Sequence, residues 1–234
     1  MKVLAVIPAR GGSRRLPGKN TRPLLGVPLI GWAGRFAAAC PVFERAILST
    51  DDAAIAEAGR AEGIEVPFLR PAALATDTAV SADVALHALD AAEAQNGPYD
   101  ALALLQPTCP FRRSAPWEAA RTALQSGAPA AIGVAPTATP PHHSFVLKDG
   151  AITPLFPDGL SLRGQDLPQT VYVTGGLYLI RAEVLRETGG FFPQGTAPVL
   201  CDHPLDAVDI DTGADFEEAE WLAERYGVTV PPAI

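Results

Sequence analysis

The most constraining feature of this sequence is the order in which short apolar runs alternate with longer mixed segments along its first half. Val3 to Ile7 is a continuous β-branched and aliphatic run stopped by Pro8. Such a run is expected of a strand buried on both faces of a parallel sheet. Leu29 to Cys40 reads as a helix, Ala46 to Ser49 as a second buried strand, and Asp51 to Gly63 as a helix opening on acids and closing at glycine. Ile64 to Leu69 gives a third strand, Val80 to Ala94 a helix and Ala101 to Leu105 a fourth strand. Alternation of this kind predicts a mostly parallel sheet with helices on both faces, a three-layer α/β/α domain with right-handed crossovers.

After a helix at about Ala115 to Gln125 and a strand at Ala130 to Val134, prolines, glycines and two histidines crowd the chain. Residues 136–182 read as a small mixed β insertion. It holds a hairpin formed by Ser144 to Leu147 and Ala151 to Thr153 about Asp149-Gly150, and a long strand from Val171 to Ile180. A short helix near Ala182 to Glu187, a strand at Ala207 to Ile210 and a terminal helix from Ala214 to Arg225 complete the pattern. At 234 residues, against about 150 per domain, one large domain with an insertion is expected.

Composition excludes several classes. With 18 Lys+Arg against 26 Asp+Glu the net charge is 18 − 26 = −8, the wrong sign for coating nucleic acid. Hydrophobic residues at 48% and charged residues at 19% argue for a core rather than disorder. Cys40, Cys109 and Cys201 form no C-x-x-C pair, and their odd number points to a reducing, cytoplasmic compartment. No apolar run is long enough for a signal peptide or membrane span, so a soluble protein without an anchor is expected.

The expected first strand leads into Pro8-Ala-Arg-Gly-Gly-Ser-Arg-Arg-Leu-Pro-Gly-Lys-Asn20, at the carboxyl end of a strand, where open α/β sheets place ligands. Its glycines expose backbone N–H groups, while Arg10, Arg14, Arg15 and Lys19 concentrate positive charge in an acidic chain, so a polyphosphate is the expected guest. Two better-known phosphate loops are excluded. Five residues rather than four separate Gly12 from Gly18, and Asn20 rather than Ser or Thr follows the lysine, so this is no Walker A loop. The dinucleotide pattern G-x-G-x-x-G is absent. At the other end of the chain, Asp209 and Asp211 flank Ile210. On a strand they would share one face, a pair suited to Mg²⁺ bound with a nucleotide's phosphates, with Asp206 a less certain neighbour. His142-His143 has no acid or cysteine at ligand spacing, and Cys109 has no basic partner for a thiol mechanism.

Ile7 to Asn20 resembles the opening motif of the acylneuraminate cytidylyltransferases, the CMP-sialic acid synthetase family. Arg70-Pro-Ala-Ala-Leu-Ala-Thr-Asp-Thr-Ala79, Leu104-Leu-Gln-Pro-Thr-Cys-Pro-Phe-Arg112 and Val208-Asp-Ile-Asp-Thr212 are similar to its other signatures, in the same order. The resemblance implies a Rossmann-like nucleotidyltransferase fold that transfers CMP from CTP to the hydroxyl of an acidic sugar, such as a sialic-acid-like nonulosonic acid, and releases pyrophosphate. It also implies a homodimer formed through the insertion. Arg10 and Lys19 would hold the triphosphate with Ala9, Gly11, Gly12 and Ser13, while Asn20, Arg70, Ala79, Ser81, Gln106 and Arg112 would surround the nucleotide. With Asp209 and Asp211 as metal ligands, Arg10 and Lys19 form the implied catalytic set. The implied acceptor contacts are Gln106, Arg163, Gln165, Tyr172 and Tyr178. The acceptor half departs from the family. Its typical Arg-Arg-Gln appears as Arg163-Gly164-Gln165, a basic position falls on Tyr172, and Phe145-Val146 stands where a lysine is expected after the histidine pair. A different acceptor, such as a 3-deoxy-octulosonate or a phosphonate, and a nucleotide-binding protein without turnover are the alternatives.

Overall fold

The computed structural model describes residues 1–234. In chain order it contains β1 (Val3–Pro8), the short β2 (Pro23–Leu24) and β3 (Val27–Pro28), α1 (Leu29–Ala39), β4 (Arg45–Ser49), α2 (Ala53–Ala61), α3 (Ser81–Asn96) and β5 (Ala101–Leu104). There follow α4 (Ser114–Gln125), β6 (Ala130–Pro136), β7 (Phe145–Lys148), β8 (Ala151–Pro154), β9 (Val171–Arg181), α5 (Ala182–Thr188), β10 (Ala197–Leu200) and α6 (Gly213–Arg225). Six strands make one sheet in the order β10-β6-β9-β5-β1-β4, with every neighbouring pair parallel except the two involving β9.

Alternation along β1 shows how the sequence divides the core. Val3, Ala5 and Ile7 join Ile30, Ala33 and Phe36 of α1 and Trp117 of α4 on one face. Leu4 and Val6 meet Ala85, Ala88 and Leu89 of α3 and Leu185 of α5 on the other. The five residues Val3 to Ile7 are fully buried, which is why the run is apolar throughout. A third cluster joins Leu16 of the first loop, Trp32 of α1, Val208 and Ile210, and Phe216 of α6. This cluster clamps the first loop against the C-terminal part of the chain.

Three expectations need correction. Ile64 to Leu69 forms no strand. It runs beside β4 with one bridge, Ile47 to Glu65, because Pro67 has no N–H to extend a ladder. Ala207 to Ile210 is not a strand either. A 3₁₀ turn occupies Pro204–Ala207, and beyond it the Ile210 N–H donates to the Thr108 carbonyl at 2.8 Å without forming a ladder. The expected insertion is also too long at its C-terminal end, since β9 lies inside the main sheet, antiparallel between β5 and β6. What stands outside the sheet is the β7–β8 hairpin and its flanking turns. The hairpin turns at Asp149 and Gly150 with φ of 52° and 77°, the paired left-handed conformation that an Asp-Gly step favours.

Candidate active site

The first loop leaves β1 at the carboxyl edge of the sheet. Ala9 is still part of the strand's environment, buried and bonded through its N–H to the Ser49 carbonyl at 3.0 Å. It cannot touch a ligand with its side chain. The chain then turns through Gly12 and Gly18, both at φ 69°, a conformation that suits glycine. Asn20 closes the loop by donating Nδ2 to the Arg10 carbonyl at 2.9 Å, and Leu16 pins it into the third hydrophobic cluster. Gly11 is not a free anion donor, because its N–H is already bonded to Asp51 Oδ1 at 2.9 Å.

A cleft of about 640 Å³ opens beside this loop. Arg10, Ser13, Lys19, Asn20, Arg70, Ala79, Ser81, Gln106 and Asp211 all line it, so residues 192 positions apart meet at one site. Lys19 makes that join. Its side chain is only 11% exposed, and Nζ donates to the Ile210 carbonyl at 3.0 Å and to Asp211 Oδ1 at 2.9 Å. Arg15 Nη2 reaches the other Asp211 oxygen at 2.6 Å. Arg10 and Arg14 meet on Asp77, at 2.6 Å each. Asp77 escaped the sequence reading, although it lies inside the Arg70–Ala79 motif; an acid in a stretch facing a basic loop was the available signal.

Arg70 is buried at the cleft wall, donating to the Ser49 carbonyl at 2.6 Å and the Leu74 carbonyl at 3.3 Å. Ala79 and Ser81 line the cleft at the start of α3, whose N-terminus has no side-chain cap. Gln106 follows β5, and its own carbonyl accepts from the Cys109 N–H at 3.1 Å as the chain turns. Arg112 does not enter the cleft. Its guanidinium lies beneath that turn, donating Nη2 to the Gln106 carbonyl at 2.5 Å, while Nε and Nη1 are buried without a protein partner. Burial pushes its pKa down to about 10, which still leaves it a cation at neutral pH.

Loss of the expected last strand does not scramble its alternation. Val208 and Ile210 are buried while Asp209 is exposed and Asp211 partly so. Asp209 lies outside the main cleft, at its rim. A side chain at Gly175 of β9 would come within 3.9 Å of Asp209 Oδ2 and 3.6 Å of Gln106 Oε1, so these two oxygens face one gap. Cys109 lies behind them, and burial pushes its thiol up to about 11, which keeps it protonated. Asp206, the less certain third acid, is committed elsewhere: it is buried against Arg113.

Of the expected acceptor residues, Gln106 lines the main cleft and the other four do not. Arg163 and Gln165 are exposed around the 3₁₀ turn Gly164–Asp166, and Tyr172 is exposed at the outer end of β9. Tyr178 is half-buried against Phe191, with ring centroids 5.6 Å apart, and burial raises its pKa. The adjacent histidines serve the insertion: His142 packs on Phe156 and His143 Nε2 meets the Leu162 carbonyl at 3.2 Å. No group of three or more His, Cys, Asp or Glu residues forms a closed metal cluster. Asp209 Oδ2 and Gln106 Oε1 are oxygen donors facing one gap, whereas both Asp211 oxygens are paired with Lys19 and Arg15.

Comparison with known proteins identifies relatives of the chain. The family model described as Cytidylyltransferase matches residues 4–101. The chain is 33% identical over 227 residues to the CMP-N,N'-diacetyllegionaminic acid synthase of Legionella pneumophila, covering 96% of this chain and 97% of that protein. It is 32% identical over 226 residues to the pseudaminic acid cytidylyltransferase of Campylobacter jejuni, covering 95% and 96%. The fold matches a CMP:2-keto-3-deoxy-manno-octonic acid synthetase solved with CTP, with a TM-score of 0.72, 19% identity, and coverage of 97% of this chain and 100% of that one. A basic loop and a C-terminal acid meeting on one cleft, at this level of identity over nearly the whole chain, place it in the acylneuraminate cytidylyltransferase family.

Proposed function

We propose that this chain transfers CMP from CTP to a hydroxyl of a nonulosonic, sialic-acid-like sugar. The acceptor oxygen forms a bond to the α-phosphorus, the bond to the β-phosphate oxygen breaks, pyrophosphate leaves, and the hydroxyl proton passes to a base. The observation that carries this reading is the meeting of Arg10, Lys19 and Asp211 in the cleft that Arg70 and Ser81 also line. Arg10 and Lys19 would hold the triphosphate as preorganised charges, and Ser13 would offer a hydroxyl. Asn20, Arg70, Ala79, Ser81 and Gln106 would surround the nucleoside. Asp209 and Asp211 would hold Mg²⁺, which supplies neutralisation of phosphate charge when bound.

Exposed apolar side chains on the hairpin and its flanks, Phe145, Val146, Leu147, Ile152 and Phe156, support a second copy of the chain as the partner covering them. In such a homodimer Arg163 and Gln165 would serve the acceptor half of a site. No helix is long and apolar enough to cross a membrane, and three buried, unbridged cysteines favour a reducing, cytoplasmic setting. The changes at Gly164 and Tyr172 also favour testing a different acid, such as a 3-deoxy-octulosonate or a phosphonate. Pyrophosphate release measured with each nucleoside triphosphate against a panel of nonulosonic acids, octulosonates and phosphonates tests the reading. Release with CTP and a nonulosonic acid is expected. Tight CTP binding with no release from any acceptor would refute catalysis and leave a binding protein.

A further inference from the structure

Every cation of the first loop is already paired, and the four of them share two acids. Arg15 and Lys19 meet Asp211, whereas Arg10 and Arg14 meet Asp77. Asp77 belongs to the segment between the 3₁₀ turn Ala72–Leu74 and α3, and it lines the same cleft as the loop. One carboxylate oxygen faces each guanidinium, Oδ1 to Arg10 Nη1 and Oδ2 to Arg14 Nη2, both at 2.6 Å. Two oxygens on one centre, each accepting from an arginine, reproduce the contact that a phosphate makes with the same side chains.

We propose that Asp77 is an internal counter-anion, seated where the triphosphate is to bind, so that nucleotide enters by exchanging phosphate oxygens for this carboxylate on Arg10 and Arg14. The inference rests on the proposed function only in taking the guest to be a nucleotide.

Three observations support it. The pairs are open to exchange, with Arg10 38% and Asp77 41% exposed, unlike the sequestered Arg35–Glu62 pair at 15% each. Asp77 cannot yield by protonation, because the Arg10 hydrogen bond holds its carboxyl below the usual range. A polyanion and a fixed carboxylate cannot both sit on these two guanidinium groups without like-charge repulsion. Seated there, the carboxylate weakens binding of every polyphosphate and hastens pyrophosphate departure, since it returns to the arginines as the product leaves.

The test is calorimetric titration of Asp77→Asn with inorganic tripolyphosphate, and separately with CTP, at low ionic strength without divalent cation. The expected result is about two- to fivefold tighter tripolyphosphate binding, the range of one exposed ion pair, with the difference shrinking as salt is raised. Asp90→Asn removes the same charge from the surface pair with Arg186 and is expected to leave both affinities unchanged. In turnover, Asp77→Asn should lower KM for the nucleotide without raising kcat. Asp77→Ser, tested alongside, keeps the question answerable should the amide variant misfold. Tripolyphosphate bound no more tightly than by the wild type, or an equal gain in Asp90→Asn, overturns the proposal. Tighter tripolyphosphate binding with no CTP binding by either protein, in a repeat titration with Mg²⁺ as well as without it, would uphold the exchange and refute the nucleotide reading.

Discussion

Lys19→Met offers the sharpest check on the claim that the first loop and the C-terminal acids act together. The substitution keeps an apolar stem of similar length and removes two bonds, to the Ile210 carbonyl at 3.0 Å and to Asp211 at 2.9 Å. A bond from the ammonium to a shielded carbonyl contributes about 1 kcal/mol net or somewhat more. The ion pair contributes less than a fully buried one, because Asp211 is 29% exposed and solvent screens it. Together they amount to about 1–2 kcal/mol of stability, or a fall in Tm of roughly 2–8 °C for a chain of this size. Catalysis should suffer far more. Removing one preorganised charge from a site of developing negative charge typically costs about 10²–10³ in rate, about 2.7–4 kcal/mol. Continuous pyrophosphate detection gives kcat/KM, and calorimetric melting gives the stability change on the same preparation. A folded Lys19→Met protein with kcat/KM within threefold of wild type would refute the joint role of loop and acids.

Three further outcomes are expected. Chelation with EDTA should abolish pyrophosphate release and Mg²⁺ should restore it, while Asp209→Asn raises the Mg²⁺ concentration needed for half-maximal rate; an unchanged metal requirement removes Asp209 from the ligand set. Gly34→Ala should destabilise by about 1–3 kcal/mol through overpacking, because its new Cβ would sit 2.4 Å from Ile64 Cγ1; Gly190→Ala, with nothing within 4 Å, is the comparison, and equal urea midpoints would refute the clash. Burial pushes the Cys109 and Cys201 thiols from 9.0 up to about 11, so the unfolded chain releases these protons first. Stability present below pH 9 is therefore lost as pH rises through 11, by at most about 3 kcal/mol per thiol. Cys201→Ala should lose less stability than wild type over that window in pH-dependent melts, and parallel losses would refute the assignment.

The sheet and most helices were legible because their signals are local. Val3–Ile7 is apolar at every position, Asp52 caps α2 by accepting from Ala54 and Ile55, and Asp149-Gly150 dictates its own turn. β10 carried no comparable signal: four residues containing a proline, after a glycine-rich stretch, become a strand because β6 presents an open edge. Ile64 to Leu69 misled for the opposite reason, since its apolar composition is strand-like and only Pro67 and its edge position forbid a ladder. At the site, loop chemistry was readable but direction was not. Gly11 and Arg112 have the right residue types near the right place, yet Asp51 occupies one and the Gln106 carbonyl takes the other. Partners decided by tertiary approach leave no trace in the spacing of the residues themselves.

β9 reverses the direction of an otherwise parallel sheet, and its two halves have different surroundings. Leu177, Leu179 and Ile180 are buried between β5 and β6, whereas Val171 to Val173 continue into the open beside the end of β6. Gly175 sits between the halves next to Gln106 and Asp209. The strand is thus a rod with one end cast into the core and the other carrying the hairpin arm. Residues 155–170, with one 3₁₀ turn, join the hairpin to the open end, so a load on the arm reaches the neighbourhood of Asp209 and Gln106 only through that segment and then along β9.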